Sequence, residues 1–295
     1  MELISLQYAI FVVALVILYY IIPMRFRWVV LLIGSLFYYV YVCKFYVGFI
    51  LFTIVSTYAI ARIIESQLNK QTATVKAHKE DWDRATRKAY KAKGRKIRAL
   101  WLVVGLVLNF GILAFLKYIP YSEELGLLLP LGISFYTFQS MGYLIDVYRE
   151  KTLAEKNIAK FALFVSFFPQ IIQGPIAVYD DLAKQLYEGH RFNIENVKRG
   201  LLLILWGAMK KLIIADRALA LVNLVTKDSD SFSGSYVLFA VILYALQLYA
   251  DFSGGIDIIR GVAELFGITM AENFRRPYFS RSLTEYWHRW HITLR

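Results

Sequence analysis

Residues 100–119 read LWLVVGLVLNFGILAFLKYI, an apolar run with one charged side chain, that of Lys117. A helix that crosses the hydrocarbon core of a bilayer needs about 20 mainly apolar residues, so this run predicts a membrane-spanning helix. Comparable runs recur at residues 6–22, 28–42, 46–63, 127–147, 161–176, 200–225 and 236–252, the last continuing with interruptions to residue 268. The pattern predicts an all-α polytopic membrane protein with a single transmembrane domain over residues 1–295.

The composition agrees with this fold class. Hydrophobic residues make up 58% of the chain and charged residues 19%, whereas about a quarter of a soluble domain is charged. The high aromatic content, 16%, suits the membrane interface, where one end of a ring is apolar and the other is wet. The single cysteine, Cys43, excludes an intrachain disulfide bond.

Much of the net charge of +12 lies in one connection between apolar runs, residues 70–98. Such charge marks the cytoplasmic loops of membrane proteins, and nucleic-acid binding is the alternative. We favour the first reading, a cytoplasmic basic loop at about residues 65–99 with membrane lipids and no nucleic acid as partners. Its Ala and Lys content predicts a helix lying at the membrane surface.

Loop charge also predicts the topology, because cationic loops stay in the cytoplasm. With residues 70–98 inside, the three preceding runs place the amino terminus outside. The acidic pair Glu123 and Glu124 then lies outside, and the basic connection over residues 149–160 lies inside. Beyond residue 160 the topology stays open, because residues 161–176 are also compatible with a re-entrant segment.

Two apolar runs carry polar residues that are costly in lipid. Gln170 and Gln173 lie among prolines in FFPQIIQGPI, residues 167–176. Such a segment either lines a cavity or ends a helix at the interface, because freed backbone groups need partners.

In the last run, Asp251, Asp257 and Arg260 surround the pair Gly254–Gly255. The two glycines allow either a break or a close backbone approach. Asp257 and Arg260 are three residues apart, so structural pairing is the favoured reading over direct catalysis.

The carboxyl-terminal stretch holds the densest cluster of polar residues: Glu285, His288, Arg289 and His291. Ser282 and Glu285 have the spacing of a capping box, which predicts a helix from about Leu283 with an apolar face continuing to Leu294. On that helix His288 and His291 would be neighbours. Three readings remain open: a general base, a metal pair lacking an obvious third ligand, and an interfacial helix without chemistry.

Four motifs resemble the membrane-bound O-acyltransferase (MBOAT) superfamily. They are YLIDVYR (143–149), FFPQIIQGPI (167–176), DFSGGIDIIRGVAELFGI (251–268) and AENFRRPYFSRSLTEYWHRWHITL (271–294). The most similar branch is bacterial and includes proteins similar to alginate O-acetyltransferase and the D-alanyl-lipoteichoic acid transfer protein. The resemblance covers essentially the whole chain and implies a helical bundle around a central channel in the bacterial plasma membrane.

The resemblance implies that His291 is catalytic, as the first of the family's two active-site histidines, while His288 falls where the family tolerates other residues. Candidates for lining the substrate channel are Gln170, Gln173, Asp251, Asp257, Arg260, Glu285 and Arg289. The implied reaction transfers an acyl group, with acetyl the first choice and D-alanyl the second, to hydroxyls of an extracytoplasmic polymer. A transporter and a non-catalytic scaffold are the alternatives from other classes.

No metal or tightly bound cofactor is implied. The donor would be acetyl-CoA or an acyl-carrier protein thioester, and an extracytoplasmic acyltransferase or esterase is an implied partner. The family's second histidine usually lies between a tryptophan and a glycine, and no Trp-His-Gly occurs in this sequence. We therefore expect the chain to be the amino-terminal part of such an enzyme and, by itself, to be inactive.

Overall fold

The computed structural model describes residues 3–119, 129–228 and 231–294, and every regular element among them is helical. The helices are α1 (Leu6–Ile21), α2 (Arg27–Cys43), α3 (Val47–Ala77), α4 (Arg84–Tyr118), α5 (Ile133–Tyr148), α6 (Ile158–Ser166), α7 (Phe168–Gln173), α8 (Tyr179–Glu188), α9 (Ile194–Ala208), a π-helix (Met209–Ala215), α10 (Asp216–Lys227), α11 (Gly234–Leu265) and α12 (Leu283–Arg289). The all-α prediction is confirmed.

Three helical stretches are long and apolar enough to cross a membrane: Met24–Ala77, Arg84–Tyr118 and Gly234–Leu265. The helices Leu6–Ile21 and Ile158–Gln173 are apolar but shorter. Many large apolar side chains on these helices are exposed, as lipid-facing residues must be when no lipid is present. The chain is an integral membrane protein, as predicted.

The chain divides into two compact units. Unit 1 comprises Met1–Val30, Ile172–Ala177 and Glu188–Arg295, and unit 2 comprises Leu31–Ile171 and Val178–Tyr187. The single domain expected over residues 1–295 stays a prediction.

In unit 2, α3 and α4 form a long helical hairpin, and this corrects the prediction for residues 70–98. The apolar run at 46–63 continues as helix to Ala77, and α4 already begins at Arg84. The side chain of Asp83 caps α4 by accepting from the amide of Thr86 at 2.8 Å. A separate surface helix does not form, because the amide of Gln71 on α3 binds the carbonyls of Tyr90 and Lys91 on α4 at 2.9 and 3.1 Å.

Two short helices, α6 and α7, are separated by Phe167, whose φ of −53° and ψ of 111° are not helical. The amide of Phe168 donates to Ser35 at 3.1 Å, so the break is satisfied by a buried hydroxyl. The run expected over residues 127–147 is described from residue 129 onward, and its helix α5 begins at Ile133, after Gly132 with a left-handed φ of 70°. The acidic loop at Glu123 and Glu124 lies outside the described residues.

Unit 1 is built on the antiparallel contact between α9 and α11. Gly200 faces Gly261 and Gly207 faces Gly254, so that a Cβ on Gly200 would lie 2.7 Å from the carbonyl oxygen of Gly261. Small residues allow helix backbones to approach closely inside a membrane. The predicted interruption of the last run is wrong, since α11 is continuous from Gly234 to Leu265. Gly254 instead allows the backbones of α9 and α11 to approach closely.

The other long run of unit 1, residues 200–225, changes its helical form midway. It begins as α9, widens into the π-helix at Met209 and continues as α10. A π-helix has a wider turn than an α-helix and often occurs at functional sites. This change of form places two consecutive lysines, Lys210 and Lys211, against α11.

Candidate functional site

A cleft of about 780 Å³ in unit 1 gathers the polar residues of α11, the π-helix and the carboxyl-terminal stretch. Five cationic side chains line it, opposed by two carboxylates, those of Asp257 and Glu272. The cations are Lys210, Arg260, Arg275, Arg276 and Arg289. His288 also lines this cleft. Because cations outnumber carboxylates in the lining, the cleft is suited to an anionic or strongly polar ligand.

Asp257 is the centre of an ion-pair cluster. Its two oxygens lie 2.5 Å from Lys210 Nζ and 3.3 Å from Arg260 Nη1. The Lys210 ammonium also donates to Ser253 at 3.0 Å. The predicted pairing of Asp257 with Arg260 is thus present, and a second cation joins it. A carboxylate held by two cations and fixed in place is suited to positioning its neighbours.

Lys210 is not among the site residues predicted from the sequence, because it lies within an apolar run that was interpreted as a membrane-spanning helix. A signal was available, since Lys210 and Lys211 are consecutive cations in one run and Asp251 and Asp257 are anions in another. Opposite charges in two apolar helices are expected to pair. Lys211 pairs with Asp251, and Asp251 does not line the cleft.

The predicted start of the last helix is confirmed, but its predicted length is not. Ser282 caps α12 by accepting from the amide of Glu285 at 3.1 Å. The Glu285 carboxylate accepts from the amide of Arg281 at 2.8 Å and binds Arg289 at 2.5 Å. The helix ends at Arg289, so the apolar face does not continue to Leu294.

The chain leaves α12 because Trp290 is drawn into an antiparallel bridge with Phe274. The amide of Arg275 donates to the carbonyl of Arg289, and the amide of Ile292 donates to the carbonyl of Asn273, both at 3.0 Å. These bonds replace helical ones. His288 and His291 are therefore not neighbours on one helix. Both line a cavity of about 470 Å³ that also includes Trp287 and Trp290.

His291 is held in an unusual conformation at this cavity. Its φ of 47° lies in the left-handed region, which side-chain-bearing residues adopt only when the surroundings enforce it. Thr293, two residues further on, is fixed by two hydrogen bonds. Its backbone N donates to Asn273 Oδ1 at 3.0 Å, and its Oγ1 accepts from Ile176 N at 3.1 Å.

The electrostatics of the His291 ring favour its neutral form. Burial lowers the pKa of His291 below its ordinary value. Within the described residues, its buried Nδ1 has no hydrogen-bond partner. The ring packs 5.2 Å from that of Phe252, between centroids. A neutral, half-buried imidazole with an unused nitrogen can exchange a proton with a bound hydroxyl.

The two glutamines lie in different units. Gln170 is buried in unit 2, where its amide donates to Gln139 at 2.6 Å. Gln173 belongs to unit 1, where a Cβ on Gly255 would collide with its side-chain oxygen. The structure therefore brings Asp257, Arg260 and Arg289 together in the cleft. The channel-lining role of all these residues stays a prediction.

Continuous apolar helices with polar clusters buried between them define an integral membrane protein with an internal site. Residues 152–295 match the family model of MBOAT, the membrane-bound O-acyltransferase family. The resemblance drawn from the four motifs is confirmed.

Similar proteins come from several bacteria. The chain is 37% identical over 222 residues to a probable alginate O-acetylase of Pseudomonas aeruginosa, covering 69% of this chain and 42% of that protein. It is 31% identical over 245 residues to a peptidoglycan O-acetyltransferase of Helicobacter pylori, covering 70% and 46%. A teichoic acid D-alanyltransferase of Streptococcus thermophilus is 29% identical over 175 residues, covering 56% and 41%. The chain thus spans less than half the length of these relatives.

Proposed function

We propose that the protein is a membrane-bound O-acyltransferase that moves an acetyl group to hydroxyls of an extracytoplasmic polysaccharide or cell-wall polymer. The observation that carries the proposal is the half-buried imidazole of His291, whose pKa is lowered by burial and whose backbone is left-handed. It lies in the stretch that resembles the family's first histidine motif. Two of the relatives are named as acetylating enzymes, one for alginate and one for peptidoglycan. Their polymers differ, and hydroxyl acetylation is what the names share.

In the proposed reaction, the hydroxyl oxygen attacks the carbonyl carbon of a thioester, such as acetyl-CoA or an acyl-carrier protein thioester. The hydroxyl loses its proton to a base, the C–O bond forms, and the C–S bond breaks as the thiol leaves with a proton. The neutral His291 ring is competent to accept the hydroxyl proton. Arg260 and Arg289 in the adjoining cleft favour binding of the negative charge that develops on the carbonyl oxygen.

The cleft and the ion-pair cluster serve this chemistry by positioning. Asp257 holds Lys210 and Arg260 in place, so the cations that line the cleft need not reorganise when charge develops. An extracytoplasmic acyltransferase or esterase is a proposed partner, acting on the same polymer.

D-alanyl transfer to teichoic acid is the second candidate. It rests on the similarity to a protein named as a teichoic acid D-alanyltransferase. The two candidates share the reaction and differ in the acyl group, so alkaline hydrolysis of the isolated surface polymer separates them. Acetate in the hydrolysate supports the first, and D-alanine supports the second.

The test of function is a pair of substitutions in the chromosomal gene of the source bacterium. We expect His291→Ala to reduce ester-linked acyl groups on the exported polymer to background, since loss of general acid–base catalysis costs about 10²–10⁴-fold. His288→Ala, which changes the other histidine of the same cavity, should retain most of them. A fully acylated polymer from the His291→Ala strain would contradict the assignment. Loss of polymer export in place of acylation would support a transporter.

A further inference from the structure

A second polar groove lies between α3 and α4 in unit 2 and encloses about 450 Å³. Four cations of α4 line it, opposed by a single carboxylate among the described residues, that of Glu150. The cations are Lys88, Lys91, Arg95 and Arg98, whose spacing of three and four residues places them on one face of the helix. The groove therefore has a strong excess of positive charge.

Arg98 is the one buried cation among those that line this groove. It is 5% exposed, and its guanidinium donates to Gln71 Oε1 at 2.6 Å and approaches Glu150 Oε1 at 3.4 Å. Its Nε is buried and has no partner among the described residues. A buried donor without an acceptor is costly, and more so on a charged group. A ligand acceptor that reached Nε would satisfy it.

Neighbouring residues hold the Arg98 side chain in place. Gln71 spans the hairpin from α3 to two carbonyls of α4, and a Cβ on Gly94 would collide with its side chain. Glu150 has a left-handed φ of 62°, a conformation that the surroundings must enforce. The groove is a built site, since its buried cation is fixed by Gln71 on α3 and by Glu150 in the turn that follows α5.

The position of the groove along the hairpin identifies the kind of ligand. The apolar runs of both helices, residues 46–63 and 100–119, stop within a few turns of it. Beyond the hydrocarbon layer lie the lipid headgroups, where each basic residue gains about 1 kcal/mol from anionic lipid. Leu68, Val75 and Ala92 add apolar surface to the same groove, which suits the glycerol end of a lipid.

We infer that this groove binds the phosphate group of an anionic phospholipid headgroup, with Arg98 at its base and Lys88, Lys91 and Arg95 around it. The site is separate from the acyl-transfer residues and does not depend on the function proposed for them. It makes the hairpin a specific lipid-binding element, in addition to any topogenic effect of its charge.

The test measures lipid binding to the purified chain in a neutral detergent, by native mass spectrometry. Phosphatidylglycerol should bind more tightly than zwitterionic phosphatidylcholine. Lys88→Gln/Lys91→Gln should weaken phosphatidylglycerol binding about 30-fold, because two cations are removed from the groove. The matched control is Lys93→Gln/Lys96→Gln, the same chemical change on the same helix outside the groove lining, which should stay within about threefold of the unmodified protein.

Equal losses in the two double variants would overturn the site, because only general charge would then matter. Glycerol 3-phosphate that binds as tightly as phosphatidylglycerol would overturn the lipid assignment in favour of a soluble phosphate. Arg98→Lys adds a second measurement, since it keeps the charge and removes Nε. Reduced selectivity for phosphatidylglycerol in this variant supports the inferred site, and unchanged selectivity contradicts the role of Arg98.

Discussion

Gly261 of α11 lies so close to Gly200 of α9 that a Cβ on Gly261 would stand 2.5 Å from the carbonyl oxygen of Gly200. The pair Gly207 and Gly254 repeats this approach seven residues along each helix. Two such contacts hold the backbones together over two helical turns, and no side chain can be added to either without moving a backbone.

Gly200→Ala is therefore expected to destabilise unit 1. A methyl group inserted into a tight contact costs about 1–3 kcal/mol, so the midpoint of thermal unfolding in detergent should fall. Gly111→Ala on α4 is the matched control, since nothing lies within 4 Å of its added Cβ. That control should be neutral or slightly stabilising, because alanine favours helix over glycine. An unchanged midpoint for Gly200→Ala would contradict the close packing.

The second prediction concerns Lys210 and Asp257. Lys210→Met should lower the unfolding midpoint, because it leaves the Asp257 carboxylate, which is 15% exposed, with Arg260 as the remaining cation of its cluster. Breaking a buried pair costs about 3–5 kcal/mol, and Arg260 should keep the loss near the lower end. The double variant Lys210→Met/Asp257→Asn should recover part of the stability. If the loss of stability in the double variant equals the sum of the losses in Lys210→Met and Asp257→Asn, the two residues are not coupled.

The third prediction is the pH dependence of acyl transfer. His291 must be neutral to accept a proton, and burial lowers its pKa below the ordinary value of about 6.5. The neutral form thus predominates at neutral pH and is lost as the pH falls through the lowered pKa. The acidic limb of a profile of kcat/KM against pH should therefore have its midpoint below the ordinary value of about 6.5. A midpoint above that ordinary value would contradict this environment.

The fourth prediction is the topology of the α3–α4 hairpin. In a Cys43→Ser background, cysteines at Lys79 and Glu124 should react with a membrane-impermeant maleimide from opposite sides of intact cells, because loop charge places residues 70–98 in the cytoplasm. Only the cysteine at Glu124 should react from outside. Labelling of both positions from outside would contradict it.

The positions of apolar helices could be predicted because they depend on local composition. The runs at 6–22 and 28–42 agree with α1 and α2 to within a residue. The ends of other helices depend on distant contacts, such as the Gln71 bonds that extend α3 and the Phe274 bridge that shortens α12. The site residues near His291 were found by motif, whereas Lys210 required knowing which helix faces α11.

The π-helix at Met209–Ala215 has a consequence for comparing this chain with its relatives. A wide turn holds one residue more than an α-helical turn, so it behaves as a local insertion. Deleting one residue there would restore an ordinary α-helix without unpairing its backbone. Because the wide turn accommodates the extra residue, the flanking helices would keep their faces, and the change would be confined to the turn that carries Lys210 and Lys211. Relatives that differ in length by one residue here should therefore also differ in how Asp251 and Asp257 are neutralised.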